Sequence, residues 1–273
     1  MKKLIVVTSI CATVCATNVL SVNAQESNTL KTRNLISKSA EAYLDTTEKN
    51  LDTFLETNKD NIDSKDINKF FDSQKEVSPE QLQAIQDKSE KETSLLKKIG
   101  KSDQEIADSL VEKEYKLDNQ NITLYKNGIY SIEEKDDNYL DTEENTYPQT
   151  FFTLAKSSKK TQYGENTKSY YSIAKIKLFT VSVSAKFYYN GTKATYRSGL
   201  DGYSKRGTLS LWQVNGFKVA KESDGSSYVA TASGNFSYGF SYNGVGFNIK
   251  DVYIKHEVRC TKNGYIKKDY VFR

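Results

Sequence analysis

Cysteine and histidine are scarce in this chain of 273 residues, and each shortage excludes a class of site. Two of the three cysteines lie within the first fifteen residues, so Cys260 is the only one in the rest of the chain. An intramolecular disulfide within that remainder is therefore excluded. The only histidine is His256, which excludes a metal site built on several imidazoles.

The sequence also lacks the motifs that identify common enzyme classes. It contains no glycine-rich phosphate loop, no Gly-x-Ser-x-Gly elbow and no Cys/His cluster with zinc spacing. His256 and Cys260 are four residues apart in a strand-like stretch, which separates them by about 13 Å and argues against a catalytic dyad. We therefore expect no catalytic residues, no metal and no cofactor, and we expect Cys260 to be a buried core residue.

The first 24 residues have the pattern of a secretory signal peptide. Lys2 and Lys3 precede an apolar stretch that ends near Ala16, and Val22 and Ala24 supply small residues at a cleavage site. We expect residues 1–24 to be removed and the mature chain to be secreted. An uncleaved membrane anchor is the alternative.

Charge divides the rest of the chain into two unlike halves at Pro148. Between Gln25 and Tyr147 there are 28 acidic and 17 basic residues, a net charge of −11. From Pro148 to Arg273 there are 7 acidic and 20 basic residues, a net charge of +13. Sixteen of the 19 tyrosines also follow position 127. We therefore expect an acidic region followed by a differently built, basic and tyrosine-rich one.

The acidic region, residues 25–120, is predicted to be helical. Apolar residues recur three or four positions apart from Thr29 to Leu55, which is the spacing of an amphipathic helix. A short helix is expected around Phe70, and capping boxes at Ser78 and Ser102 predict two more. Because the apolar stripes are thin, this region either forms a small bundle or packs against another part of the chain.

A hairpin and an acidic linker, residues 121–148, are expected between the two regions. Residues on both sides of Asn127-Gly128 alternate between apolar and polar, and this dipeptide favours a tight turn. The stretch from Glu133 to Pro148 is strongly acidic with a single lysine, and such segments tend to stay solvated. The acidic helical region could dock on the basic one within the same molecule, or its charge could serve only solubility.

The basic region, residues 149–273, has the period-two alternation of antiparallel strands. Four Asn-Gly dipeptides, together with Asp201-Gly202 and Asp224-Gly225, predict turns between the strands. Seven to nine strands in this length indicate an antiparallel β-sandwich or a small barrel, and an α+β protein overall. The predicted strands are Phe151–Ala155, Tyr170–Tyr189, Thr192–Arg197, Thr208–Val214, Phe217–Lys221, Ser227–Tyr242, Val245–Val258 and Tyr265–Phe272.

The stretch from Tyr170 to Tyr189 is too long for one ordinary strand. Its apolar residues occupy even positions up to Leu178 and odd positions from Phe179 onward. A regular strand would turn half of them outward, so we expect a bulge or bend between these two residues.

Basic and aromatic residues are interleaved in the second region, a combination that suits anionic polymers and sugars. In a secreted protein the expected ligand is an anionic envelope polymer, a glycan or a lipid surface, and no nucleic acid is expected. The layout is similar to that of many secreted Gram-positive proteins, although lysines could also decorate the surface for solubility alone. The residues predicted to bind are Lys186, Tyr188, Lys193, Tyr196, Arg197, Tyr203, Lys205, Arg206 and Trp212.

Two other functions remain open from the sequence. Between Ser227 and Tyr242 aromatic and small polar residues alternate, as they do in a soluble sandwich strand and in the membrane hairpin of a β-pore-forming toxin. The acidic helical region would then be a pro-region. A polysaccharide hydrolase needs only two carboxylates across a cleft, and Asp201 and Asp251 are candidates for that pair.

Overall fold

The structure, a computed structural model, describes residues 8–58, 62–135, 159–207, 210, 213–242 and 245–273, with side chains described at 31–58, 62–135, 159–207, 210, 213–237 and 252–273. Within these ranges helices are followed by two antiparallel sheets, which confirms the predicted α+β class. The helices are α1 (Thr8–Thr57), α2 (Ser64–Ser73), α3 (Pro79–Lys98) and α4 (Asp103–Leu110). The strands are β1 (Val111–Lys116), β2 (Gln120–Tyr125), β3 (Ile129–Glu134), β4 (Lys160–Ser172), β5 (Ile176–Tyr189), β6 (Ala194–Arg206), β7 (Gln213–Asp224), β8 (Ser227–Tyr242), β9 (Val245–Cys260) and β10 (Ile266–Phe272).

The predicted helix starts are confirmed at both capping boxes. The side chain of Ser78 accepts a hydrogen bond from the Gln81 backbone, and Ser102 does the same for Glu105. Each cap satisfies backbone donors that the first helical turn leaves unpaired. A third capping box, at Asp63, begins α2 and was not predicted.

The helical region ends earlier than its predicted limit at residue 120. Val111–Lys116 is a strand, whose side chains alternate between half-buried and exposed. The sequence of this segment already alternates with period two, but its charged residues hide the pattern. Pairing with β2 rather than local propensity decides its conformation.

Six strands form the first sheet in the order β1-β2-β3-β4-β5-β6, and four form the second in the order β10-β9-β8-β7. The hairpin predicted at Asn127-Gly128 joins β2 to β3, and Gly128 has a φ of +74°. Because β3 pairs with β4, this hairpin belongs to the same sheet as the strands of the basic region. The predicted boundary at residue 148 and the strand Phe151–Ala155 lie outside the described residues.

The long stretch from Tyr170 to Tyr189 is a hairpin. β4 ends at Ser172, a tight turn follows, and β5 begins at Ile176. Lys175 in this turn has a φ of +67°, and its Nζ donates to the backbone oxygen of Asp72 at 2.7 Å. The predicted bulge is also confirmed, because the pairing between β4 and β5 skips Leu178.

Two predicted turns are wrong because the strands continue through them. Asp201-Gly202 lies inside β6, paired with β5. Asn215-Gly216 forms a bulge inside β7, where Gly216 has a φ of +65°, so Val214 and Phe217, which were predicted on separate strands, lie on the same one. An Asn-Gly pair supplies positive φ in a bulge as readily as in a turn. The predicted turn at Asn243-Gly244 lies outside the described residues.

One core connects the helices with both sheets. Leu51 of α1, Phe71 of α2 and Leu82 of α3 belong to the same buried cluster as Ile122 of β2 and Tyr170 of β4. The ring of Phe71 stacks on that of Tyr130, with centroids 3.7 Å apart. The helices therefore cover one face of β2 and β3, and the opposite face of the six-stranded sheet packs on β8 and β9.

Ion pairs join the acidic helices to strands around this apolar contact. Lys113 of β1 reaches Glu48 and Asp52 of α1, at 3.1 and 2.7 Å. The guanidinium of Arg273 at the end of the chain lies 2.7 Å from Asp103 of α4. These pairs are partly exposed, so the apolar core contributes more to the packing than they do.

Candidate functional site

The outer face of β4 to β6 is the face turned away from the four-stranded sheet. In β4 every second residue from Tyr163 to Tyr171 is at least partly exposed, and the residues between them are buried. Directly paired residues of an antiparallel sheet share a face, so Ser182 of β5 and Tyr203 of β6 lie beside Thr167. The outer face therefore carries polar and aromatic side chains.

A polar groove of about 390 Å³ lies on this outer face. Hydroxyl side chains of β4 and β5 line it together with lysines and tyrosines from β4, β5, β6 and β10. Tyr203 is 45% exposed there, and the amine of Lys177 lies 5.5 Å from the ring centroid of Tyr171. The cationic and aromatic part of the lining is Tyr171, Lys177, Tyr203, Lys205 and Lys268.

Hydrogen bonds between hydroxyl groups hold this lining in place. Thr167 Oγ1 lies 2.6 Å from Ser182 Oγ, and the hydroxyls of Ser169 and Thr180 lie 2.9 Å apart. The carboxylate of Glu165 accepts from Thr167 at 2.9 Å. Because the hydroxyls are already ordered, a ligand that binds them has little side-chain entropy to remove.

Five of the nine predicted binding residues share the outer face. Tyr203 and Lys205 line the groove, while Lys186 is paired with Tyr163 farther along the same face. Tyr188 lies farther still along this face. Its ring centroid is 5.7 Å from the amine of Lys159 and 5.2 Å from the guanidinium of Arg197.

The other four predicted residues do not belong to this face. Tyr196 is paired with Phe187 on the inner side, where its ring lies 6.4 Å from that of Tyr228. Arg206 is paired with the buried Phe179, and Lys193 lies in the exposed turn between β5 and β6. Trp212 lies outside the described residues.

Sequence reasoning missed the contribution of β4 to the groove. The inner positions of this strand include Gly164, Asn166 and Lys168, which are buried although none of them is apolar. A strand with polar residues on both faces shows no apolar alternation, so period-two patterning could not detect it. The only sequence signal for β4 was that these residues alternate with larger or hydroxyl-bearing ones, namely Tyr163, Glu165, Thr167, Ser169 and Tyr171.

A buried charged pair lies beneath the outer face. The amine of Lys168 is 3.5 Å from the carboxylate of Glu133, and it lies 3.0 Å from the ring centroid of Tyr270. Burial lowers the pKa of Lys168 to about 8, against the opposing effect of the Glu133 charge. Lys268, which lines the groove, is 3.9 Å from the same carboxylate. The Glu133 carboxylate therefore lies near both a lysine of the groove, Lys268, and a buried lysine, Lys168.

His256 and Cys260 do not form a dyad. The Nε2 atom of His256 is 2.9 Å from the hydroxyl of Tyr170, whereas the thiol of Cys260 contacts the backbone oxygen of Thr261. Burial lowers the pKa of His256 to about 3, with the nearby Lys168 charge acting in the same direction. The expectation that Cys260 is a buried core residue is confirmed.

Of the two acids considered for a hydrolase pair, only Asp201 has a described side chain. Asp201 is exposed on the outer face, where it accepts a hydrogen bond from the backbone of Gly202, and the side chain of Asp251 lies outside the described set. Across the described part of the chain, no group of His, Cys, Asp or Glu side chains has the arrangement of a metal site. No helix in that part is both long and apolar enough to span a membrane.

Comparison with known proteins finds no family model, no curated protein and no solved structure that matches this chain.

Proposed function

We propose that this is a secreted, non-catalytic protein that binds an anionic cell-envelope polymer or glycan through the outer face of β4 to β6. The observation that carries the proposal is the gathering of Lys186, Tyr188, Arg197, Tyr203 and Lys205 on one face, beside a polar groove. Secretion rests on the N-terminal sequence pattern.

The chemistry of the groove supports an anionic, hydroxyl-rich ligand. Lys177 and Lys205 supply positive charge, and the half-exposed Tyr203 supplies a flat ring on which a sugar can stack. Hydroxyl groups such as that of Ser169 can exchange hydrogen bonds with sugar hydroxyls. Together these groups cover the three kinds of contact that a charged polysaccharide requires.

Binding to immobilised polymers tests the proposal. Heparin serves as the anionic glycan, lipoteichoic acid as the envelope polymer, and dextran as the neutral control. We expect retention on the anionic polymers that weakens as the salt concentration rises, because salt screens exposed charges. Equal retention on dextran, or retention that salt does not change, would overturn the electrostatic mechanism.

Paired variants locate the binding surface. Lys177→Ala with Lys205→Ala removes two charges from the groove, and we expect affinity to fall about tenfold, since each exposed contact contributes up to about 1 kcal/mol. Lys218→Ala with Lys262→Ala removes the same charge from exposed positions in β7 and in the turn between β9 and β10. An equal loss in both double variants would show that net charge, not the outer face, governs binding.

One observation favours the pore-forming alternative as a second candidate. The strands β8 and β9 stay paired from Tyr238 with Ile249 to Tyr242 with Val245. The described part of β7 begins at Gln213, which pairs with Ser237, and on the other side the backbone of Arg273 bonds that of Tyr253. Among the described strands, this two-stranded extension therefore has no further partner, which is a feature that a membrane-inserting hairpin would need.

Release of a fluorescent dye from anionic vesicles tests this second candidate. The protein is assayed intact and after cleavage between Glu134 and Lys160, and release only after cleavage would support a toxin with a pro-region. Phe240→Ser with Phe247→Ser should then abolish release, whereas Tyr265→Ser, at an exposed position elsewhere, should not. Intact vesicles in every condition would exclude this function for the vesicles tested.

A further inference from the structure

A second cavity, of about 380 Å³, lies between the helices and the first sheet. One wall is a face of α1 on which Ala40, Leu44 and Glu48 recur every fourth residue, and the opposite wall is the face of α3 around Ile85 and Ser89. The β2–β3 hairpin and Ile173 complete the lining. The size lies within the usual range for sites that hold small ligands.

The deep part of this cavity is apolar. Ile85, Leu124 and Ile129 are buried and line it, and Ile173 closes it beside the hairpin turn. Protein interiors are normally packed without voids of this size. An aliphatic or aromatic group would therefore gain transfer free energy by entering.

The rim of the cavity is acidic. Its lining contains five carboxylates and two lysines, and the lysines are already engaged: Lys88 is 2.7 Å from Glu41, and Lys126 is 3.2 Å from Glu92. Within the described residues, neither Asp45 nor Glu112 forms an ion pair. Two carboxylates at the rim thus remain to bind a cation.

A hydroxyl group gives the cavity a third kind of contact. Ser89 is only 6% exposed, it lines the cavity, and its side chain has no hydrogen-bond partner among the described residues. A ligand with a donor or an acceptor can therefore form a hydrogen bond with this hydroxyl group. This observation is independent of the carboxylates.

We propose that this cavity binds a small cationic amphiphile, an ammonium group on a short aliphatic chain. The chain lies against Ile85, Leu124 and Ile129, and the ammonium group is held by Asp45 and Glu112 at the rim, within reach of the Ser89 wall. The lining of this site shares no residue with that of the groove of β4 to β6, and it carries the opposite net charge. It is therefore independent of the proposed function.

Calorimetric titration with n-octylamine tests the site, with octanol and octanoate as probes of the same chain length. We expect saturable binding in which octylamine binds about fivefold more tightly than octanol. That ratio corresponds to about 1 kcal/mol, the upper end of what one exposed ion pair contributes. Octanoate should bind more weakly than either. Equal affinity for octylamine and octanoate, or no saturable binding of octylamine, would overturn the proposal.

Two variants separate the parts of the site. Ala84→Phe places a ring in the cavity lining and should abolish binding of all three probes. Asp45→Asn with Glu112→Gln should keep octanol binding and remove the preference for octylamine. Asp87→Asn with Glu90→Gln makes the same charge change at exposed positions of α3 and should change neither. If the Asp45/Glu112 double variant keeps the full preference while its thermal unfolding is unchanged, the assignment of the ammonium position is wrong.

Discussion

The hydroxyl of Tyr170 lies 2.9 Å from Nε2 of His256, although 86 residues separate them in the chain. The other ring nitrogen, Nδ1, is 3.4 Å from the backbone oxygen of Asn166. A carbonyl oxygen can only accept, so the imidazole carries its proton on Nδ1 and the Tyr170 hydroxyl donates to Nε2. A neutral histidine is therefore built into the contact between the two sheets.

Acid should destabilise the protein through His256. The pKa of this group is about 3 in the folded protein and 6.5 in its ordinary state, so between these values only the unfolded chain binds the proton. The contribution of neutral His256 to the free energy of unfolding is fully present above pH 6.5. It falls by up to about 1.4 kcal/mol per pH unit as the pH decreases toward 3. Urea unfolding of the protein and of His256→Gln at pH 7, 6, 5 and 4 measures this. The stability advantage of the native protein should shrink at each step, and a constant difference would contradict the prediction.

Lys168 should act in the alkaline range with the same trend, because burial lowers its pKa as well. Its pKa is about 8 when folded and 10.5 ordinarily, so between these values the unfolded state binds more protons and stability should rise with pH. Lys168→Met should remove this rise. At pH 7 the same variant should lose about 3 kcal/mol, because Glu133 is left buried with only Lys268, at 3.9 Å, beside it, and Lys168→Met with Glu133→Gln should recover much of that loss. A double variant no more stable than the single one would show that the pair is not coupled.

The stack of Phe71 on Tyr130 should be essential for holding the helices on the sheet. Phe71→Ala removes a fully buried ring at the centre of this contact, and we expect unfolding free energy to fall by about 3–5 kcal/mol. Leu95→Ala, at a position that is 61% exposed on α3, is the control and should change stability by less than about 0.5 kcal/mol. Similar losses in the two variants would mean that the helices contribute little to a shared core.

After a backbone cut between β3 and β4, the two fragments should stay associated. The backbone pairs from Ile129 with Ser172 to Glu133 with Lys168 cross the cut, and so does the core that joins α2 to β4. A protease site introduced between Glu134 and Lys160 therefore should give two fragments that elute together in gel filtration and separate only in denaturant. Fragments that separate in native buffer would show that the helical region is held weakly.

Much of the local structure could be predicted from the sequence, because it depends on neighbouring residues. The caps at Ser78 and Ser102 and the turn at Asn127-Gly128 involve contacts within a few positions, and all three are confirmed. The bulge at Leu178 was also predictable, since a change of phase between adjacent apolar residues leaves no regular strand available. Local signals were misleading at Asp201-Gly202, where pairing with a neighbouring strand decides the conformation.

The candidate site could be predicted only in part. Five of the nine expected residues share a face because they lie on two adjacent strands joined by a short turn, where sequence distance and spatial distance agree. Tyr196 was expected among them, but the register shifts near Lys186 place it on the inner face. The hydroxyl-rich part of the groove comes from β4, whose pattern the sequence did not reveal.

By itself, the sequence determined the α+β class and the division into an acidic and a basic half. It also excluded an intramolecular disulfide after the first fifteen residues, where Cys260 is the only cysteine. These properties follow from composition and short-range periodicity. Only the tertiary structure decided which side chains meet: Lys168 with Glu133, Tyr170 with His256, and Phe71 with Tyr130. The physical reason is that each pair depends on strand register or on helix packing over 35 residues or more of sequence, which no local pattern specifies.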